Sequence, residues 1–147
     1  GNMIGYWKNP EATKECMNDE GWFRSGDLGK FEGPFLYILD RVKDIVIRGG
    51  ENIACPEVEG AIYEHDDILE ACVFGIPDER LGEVLCAAIY LREKSTLAMD
   101  ELQSFLSTRL AAFKIPFNIK FYKNKLPRVG SGKFDKPSLR KQFIENL

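Results

Sequence analysis

Residues 68–91, ILEACVFGIPDERLGEVLCAAIYL, hold two apolar runs separated by a polar insert. Ile68 to Ile76 is rich in Val, Ile and Phe, and Val84 to Leu91 is more apolar still. Such runs predict two strands, and the second predicts a strand at the centre of its sheet. Pro77-Asp78 predicts the turn between them. Pro56 to His65 predicts a helix opened by proline, with Val58, Ala61 and Ile62 on one face. Met99 to Phe113 predicts another, because Leu102, Phe105, Leu106, Leu110 and Phe113 follow the helical period. Asp100 and Glu101 suit its first turn and Lys114 its end. Ile119 to Tyr122 predicts a third strand, and Pro137 to Asn146 a final helix with Leu139, Phe143 and Ile144 inward.

Upstream, Phe35–Leu39 and Ile45–Ile47 predict two strands of a hairpin-like unit around Asp40-Arg41. Gly49-Gly50 predicts a flexible loop through Cys55. Pro10 to Met17 predicts a short helix, and Trp22, Phe23 and Leu28, set among glycines, predict short strands and turns. From residue 42 the order is β, α, β, β, α, β, α. The fold class is α+β, a small mixed and partly antiparallel sheet flanked by helices.

The chain has 147 residues, 44% apolar and 29% charged, which fits a globular protein and argues against a disordered one. Its net charge of −3 hides an asymmetry. Residues 109–147 carry 10 basic and 2 acidic groups, a net of +8, whereas residues 1–108 net −11 from 10 basic and 21 acidic. The overall balance argues against nucleic acid as a partner, and the last quarter is a candidate anion-binding segment. The longest apolar run, Leu85 to Leu91, is far short of the roughly 20 residues of a membrane helix, so no transmembrane segment is expected. No secretory signal is visible. Cys16, Cys55, Cys72 and Cys86 form no CxxC pair, and His65 is the single histidine. No metal site is expected. The cysteines read as reduced, packed side chains of a cytoplasmic protein. The segment GNMIGYWKNPEAT is loop-like and leaves Met3, Tyr6 and Trp7 uncovered, which predicts a piece of something larger; a frayed terminus is the alternative.

Three stretches carry chemistry. In LPRVGSGKFDK, residues 126–136, glycines flank Ser131 and precede Lys133, so the loop can present a lysine and backbone N–H groups to negative charge. It is not a phosphate-binding P-loop, because Pro127 and Phe134 stand where glycine and a hydroxyl residue are needed. A solvated turn is the alternative. In DRVKDIVIRGGENI, residues 40–53, alternating charges enter a strand that ends in two glycines. A surface ion-pair cluster is the alternative there, although paired glycines point to a special backbone angle or a ligand's close approach. In GWFRSGDLG, residues 21–29, Asp27 could cap a turn or bind a pair of sugar hydroxyls. His65 beside Asp66 reads as a helix-end imidazole rather than a catalytic pair.

GYWKNPEAT, GWFRSGDLG, DRVKDIVIRGGENI, PEVE, GIPDERLGE and LPRVGSGK occur in one order. Together they resemble the C-terminal part of adenylate-forming enzymes, the group of acyl-CoA synthetases, aryl-CoA ligases, luciferases and peptide-synthetase adenylation domains. The resemblance covers nearly the whole chain. It implies that residues 1–40 are the end of a large N-terminal domain with the hinge, and residues 41–147 a small mobile C-terminal domain. It implies a carboxylic acid, ATP and CoA as substrates, and Mg²⁺ held mainly by the large domain. Lys133 matches the catalytic lysine of the adenylation half-reaction. Asp27 and Arg41 resemble ATP/AMP-binding residues, and Asp40 the hinge. Gly49, Gly50 and Glu51 resemble the thioester-forming loop at the CoA channel, and Phe113 and Lys114 a CoA-binding segment. GGENI followed by PEVE looks more like the fatty and aryl acyl-CoA ligases than the peptide-synthetase adenylation domains. Ala54-Cys55-Pro56 departs from the Tyr-Pro often found after that run, and Ile115 and Phe117 replace basic residues often found around Pro116. A carrier-protein acceptor, or a stand-alone nucleotide- or CoA-binding module, are the alternatives. By itself the chain is expected to be inactive.

Overall fold

The structure is a computed structural model that describes residues 3–145, with the backbone but not the side chains of Leu39, Asp40 and Lys43. The chain divides into two compact units, Gly1–Lys43 and Asp44–Leu147.

In the first unit, helix α1 spans Pro10–Cys16. The Asn9 side chain caps it by accepting from the Ala12 N–H at 3.0 Å, and Pro10 opens it. Strands β1 (Asp27–Glu32) and β2 (Phe35–Arg41) form an antiparallel hairpin closed by the pair Glu32 and Phe35. Gly33 turns it with φ +58°. The hairpin expected between Phe35–Leu39 and Ile45–Ile47 is therefore corrected, because β2 pairs backwards through the Glu32-Gly33-Pro34 turn. Trp22 lies outside any strand, and Phe23 makes only an isolated bridge with Met17.

The second unit begins with a 3-10 turn at Val42–Asp44 that crosses the boundary. Strand β3 is Ile45–Arg48, and β4 is Glu51–Ala54. These two are antiparallel, closed by Arg48 opposite Glu51. Gly49 and Gly50 have φ of +59° and +89°, the two positive values that a two-residue hairpin turn demands. The expected flexible loop through Cys55 is thus a tight turn followed by a strand. Helix α2 (Cys55–Tyr63) follows, then β5 (Ile68–Asp78), β6 (Gly82–Leu91), α3 (Met99–Ser107), β7 (Asn118–Tyr122) and α4 (Lys136–Ile144).

The sheet order is β4-β3-β6-β5, and β7 pairs parallel to β6. The apolar run of β6 is central as expected, with β5 along one side and β3 and β7 sharing the other. Strand β5 continues through Pro77 and Asp78, so the turn lies at Glu79–Leu81, where Asp78 Oδ1 accepts from the Arg80 and Leu81 N–H groups. Alternate residues of β5 and β6 enter two cores. Ala71, Val73, Leu85, Ala87 and Ile89 pack with Val58 and Ile62 of α2 and Leu102 and Leu106 of α3. Cys72, Phe74, Ile76, Cys86 and Ala88 pack with Leu126 and with Leu139 and Phe143 of α4. The sheet thus lies between helices, the mixed α+β arrangement expected.

Helix α3 is shorter than its apolar pattern predicts. The Ser107 and Thr108 hydroxyls bond back to the Ser104 and Phe105 carbonyls, and the helix ends there. Phe113 lies in a separate 3-10 turn, Ala112–Lys114. Ile144 is half exposed rather than inward, since Leu139 and Phe143 fill the buried stripe of α4. Asn146, the predicted end of that helix, lies outside the described residues. Cys55, Cys72 and Cys86 are buried, and burial pushes the Cys72 and Cys86 thiols up to about 12. His65 stacks edge-on against Phe105, and its Nδ1 accepts the Asp67 N–H.

Candidate functional site

Lys133 lies in the connection between β7 and α4. That connection folds back on itself: Arg128 and Phe134 form a bridge, the Val129 N–H reaches the Lys133 carbonyl at 2.9 Å, and the Gly132 N–H reaches the Val129 carbonyl at 2.8 Å. Gly132 adopts φ +83°, a value available to glycine at little cost. Phe134, just after Lys133, packs on the core beneath α4, so the loop is rooted while Lys133 stays exposed.

A cleft of about 530 Å³ opens beside this loop, lined by Asp44, Glu59, Arg128, Gly132, Lys133, Phe134 and Lys136. Its three basic side chains differ. Arg128 Nη2 pairs with Glu70 Oε1 at 2.9 Å, and Lys136 Nζ with Asp44 Oδ1 at 3.1 Å. Lys133 makes no ion pair among the described residues, which leaves its ammonium available to an external anion. Burial alone would lower the Lys136 pKa, but the charge of Cys55, the hydrogen bond that Lys136 donates to Asp44 and the charge of Glu59 outweigh it and raise it above the ordinary value. Asp135 caps α4: its carboxylate accepts from the Ser138 hydroxyl and N–H, which holds its pKa below the ordinary value.

Gly49, Gly50 and Glu51 sit at the β3–β4 turn. The Gly49 N–H donates to the Leu81 carbonyl at 2.7 Å, and the Ile47 N–H to Glu83 Oε2 at 2.9 Å, so both the turn and the strand before it are tied to β6 and its entry turn. Arg48 Nη1 donates to the Phe113 carbonyl at 3.2 Å, which joins the glycine turn to the Phe113-Lys114 segment. Arg48 Nε is buried without a hydrogen-bond partner among the described residues. Lys114 Nζ bonds both carboxylate oxygens of Glu57, at 2.5 and 2.8 Å. Phe113 packs against the α2/α3 core and Phe134 against the α4 core, so the two stretches belong to opposite layers of the sheet.

In the first unit, Arg41 Nε pairs with Asp27 Oδ1 at 3.0 Å, across the register of β1 and β2. The structure thus brings Asp27 and Arg41 together. The backbone of Asp40 pairs with Leu28 beside them. Among the described residues, no three His, Cys, Asp or Glu side chains gather into a metal-ligand set, and no helix is long and apolar enough to cross a membrane.

Sequence reasoning did not single out Glu70, Arg128, Glu83, Arg48 or Lys136. Glu70 carried the most visible signal, a lone acid inside the apolar run ILEACVF.

The family model of the AMP-binding enzyme C-terminal domain matches residues 57–133, just over half of the chain. A feruloyl-CoA synthase of an Amycolatopsis species is 43% identical over 142 residues, which cover 96% of this chain and 28% of that protein. A medium-chain fatty-acid–CoA ligase of Escherichia coli strain K12 is 42% identical over 148 residues, covering 99% of this chain and 26% of that one. The crystal structure of ATP-bound MatB from Rhodopseudomonas palustris superposes with a TM-score of 0.85 at 35% identity, covering 95% of this chain and 28% of that chain. This chain spans about a quarter of the length of the curated relatives it matches. Its fold and this match across the glycine turn's downstream helix, the central strands and Lys133 place it in one family: the chain belongs to the C-terminal domains of the AMP-binding, adenylate-forming enzymes.

Proposed function

We propose that this chain is the C-terminal part of an AMP-forming acyl-CoA synthetase and supplies the lysine of its first half-reaction. The observation that carries the reading is Lys133, exposed on a rooted loop and without an ion pair among the described residues, beside two committed cations. In the first half-reaction a carboxylate oxygen attacks the α-phosphorus of ATP, the bond to the β-phosphate bridge breaks, and pyrophosphate leaves. Lys133 stabilises the charge that gathers between the two anions. Mg²⁺ entering with ATP would neutralise its phosphates; among the described residues no carboxylate set gathers to hold it. In the second half-reaction a thiol attacks the acyl carbonyl, AMP leaves, and the thiol proton passes to solvent.

Asp27 accepts the ribose hydroxyls, and Arg41, its ion-pair partner, lies at the ribose and phosphate. Gly49, Gly50 and Glu51 line the thiol's approach, with Phe113 and Lys114 toward the CoA nucleotide. The backbone turns at Asp40 between the half-reactions. The placement of Phe113 and Phe134 in opposite layers supports two faces presented in turn. The buried thiols of Cys72 and Cys86 suit a reducing cytoplasm.

The intact ligase is expected to convert a carboxylic acid, ATP and CoA to acyl-CoA, AMP and pyrophosphate. The isolated 147-residue chain is expected to show no acid-dependent ATP–pyrophosphate exchange. Release of ADP and phosphate by the ligase, or exchange by the chain alone, refutes the reading. A second reading, transfer to a carrier-protein thiol, is favoured by the pairing of Lys114 with Glu57, which a CoA phosphate must displace. Competition between free CoA and a carrier protein bearing phosphopantetheine decides between the acceptors.

A further inference from the structure

Two of the four residues between Arg128 and Lys133 are glycines, Gly130 and Gly132. A Cβ added at either would meet nothing within 4 Å. Backbone with so little packing orders a neighbouring side chain poorly. Yet a reacting group displaced by about 1 Å loses about 100-fold in rate. Something must hold Lys133, and the contacts converge on one side chain. Arg128 Nη1 donates to the carbonyl of Gly132, immediately before Lys133, at 2.7 Å. The Arg128 guanidinium stacks on the ring of Phe134, immediately after Lys133, at 4.3 Å. Both neighbours of the lysine are therefore gripped by one planar group.

Arg128 is itself oriented from the sheet. Glu70 lies on β5 just past an irregularity in the register, with its side chain 13% exposed. Its Oε1 accepts from Arg128 Nη2 at 2.9 Å, and its Oε2 from the Leu126 N–H at 2.8 Å. Leu126 is anchored in the α4 core. The carboxylate thus ties the stem of the loop and its clamp to β5, which pairs along its length with the central strand β6. A lysine could replace the charge of Arg128 but not its fork or its stacking face.

We infer that Arg128, oriented by Glu70, is the positioning residue that sets Lys133 for the adenylation half-reaction. The inference rests on the assignment of that half-reaction to Lys133. In the intact ligase, Arg128→Ala lowers the kcat of acid-dependent ATP–pyrophosphate exchange by about 100-fold. KM for ATP and for the acid, and thioester formation from supplied acyl-adenylate, stay within about threefold of wild type. Arg128→Lys recovers less than about tenfold of the loss. Glu70→Gln keeps one acceptor and loses about tenfold. In the 147-residue chain, Arg128→Ala speeds hydrogen exchange at the Val129 and Gly132 amides by at least about tenfold, while amides of β5 and β6 keep their protection. Wild-type exchange kcat in Arg128→Ala, beside a Lys133→Ala enzyme that has lost it, overturns the positioning role alone. Equal loss of both half-reactions together with lost protection in β5 also overturns it, since that marks a folding defect. Full activity in Lys133→Ala overturns the underlying assignment instead, and the amide exchange then still decides whether Arg128 holds the loop.

Discussion

Replacing Gly75 by alanine tests how the glycine turn is held. Gly75 is buried on β5, and a Cβ built there would lie 2.8 Å from Glu83 Oε1, 2.9 Å from Val46 Cγ1 and 3.0 Å from Glu83 Cδ. The Glu83 carboxylate could swing away, but its Oε2 accepts the Ile47 N–H, so movement breaks the bond that ties β3 to β6. Val46 is fully buried and β-branched, and has little room to give. Overpacking of this kind costs about 1–3 kcal/mol. The lost bond to Ile47 adds about 0.5–1.5 kcal/mol, at the low end because Ile47 is half exposed. Alanine lowers the entropy of the unfolded chain and returns about 0.4–1 kcal/mol. The net is a destabilisation of about 2 kcal/mol, or a fall in Tm of about 10 °C for a unit of this size. Thermal and urea unfolding of the chain measure it. The double variant Gly75→Ala, Glu83→Ala removes the clash with the carboxylate, so the two losses fall short of additivity by about 1 kcal/mol. An unchanged or raised Tm in Gly75→Ala, or strict additivity in the double variant, refutes the reasoning.

The Lys136–Asp44 pair predicts a pH dependence. Because the Lys136 pKa is raised in the folded chain, its contribution is fully present below the ordinary value of 10.5 and is lost as pH rises through the folded value. Unfolding scans across that window are expected to show a steeper alkaline loss in wild type than in Lys136→Met, and identical limbs would remove the pair from the account. The thiols give another test. Cys72 and Cys86, pushed up to about 12 by burial, are expected to resist alkylation at neutral pH in the folded chain while the partly exposed Cys16 reacts; mass spectrometry showing equal labelling would contradict the buried packing.

The central strands and the helices α2 and α3 were legible because burial imposes a pattern: Val58, Ala61 and Ile62 on one face, and a nearly unbroken apolar run in β6. What stayed hidden depended on turns and on distant partners. Strand β4 is short and buries only Ile53, so Glu51 and Asn52 read as loop. In the sequence Gly49-Gly50 reads as flexibility, whereas two positive φ values make a tight hairpin turn that pairs β4 with β3. Of the site, the stretches around Lys133, Arg41 and the glycine turn were legible as motifs. Their supports were not. Asp44 pairs with Lys136 across 92 residues and Glu70 with Arg128 across 58, separations at which a single sequence carries no pairing signal. The charges of DRVKD read as one local cluster, yet Arg41 and Asp44 pair with Asp27 and Lys136 instead.

The central claim is that Lys133 serves adenylation and not thiol transfer. It is tested most directly by measuring the two half-reactions separately in the intact ligase with Lys133→Ala. Acid-dependent ATP–pyrophosphate exchange is expected to fall by roughly 100- to 1,000-fold, the scale of losing one preorganised charge-stabilising donor. Thioester formation from supplied acyl-adenylate is expected to stay within about threefold of wild type. Equal losses in both half-reactions, or no loss in the first, would contradict the account.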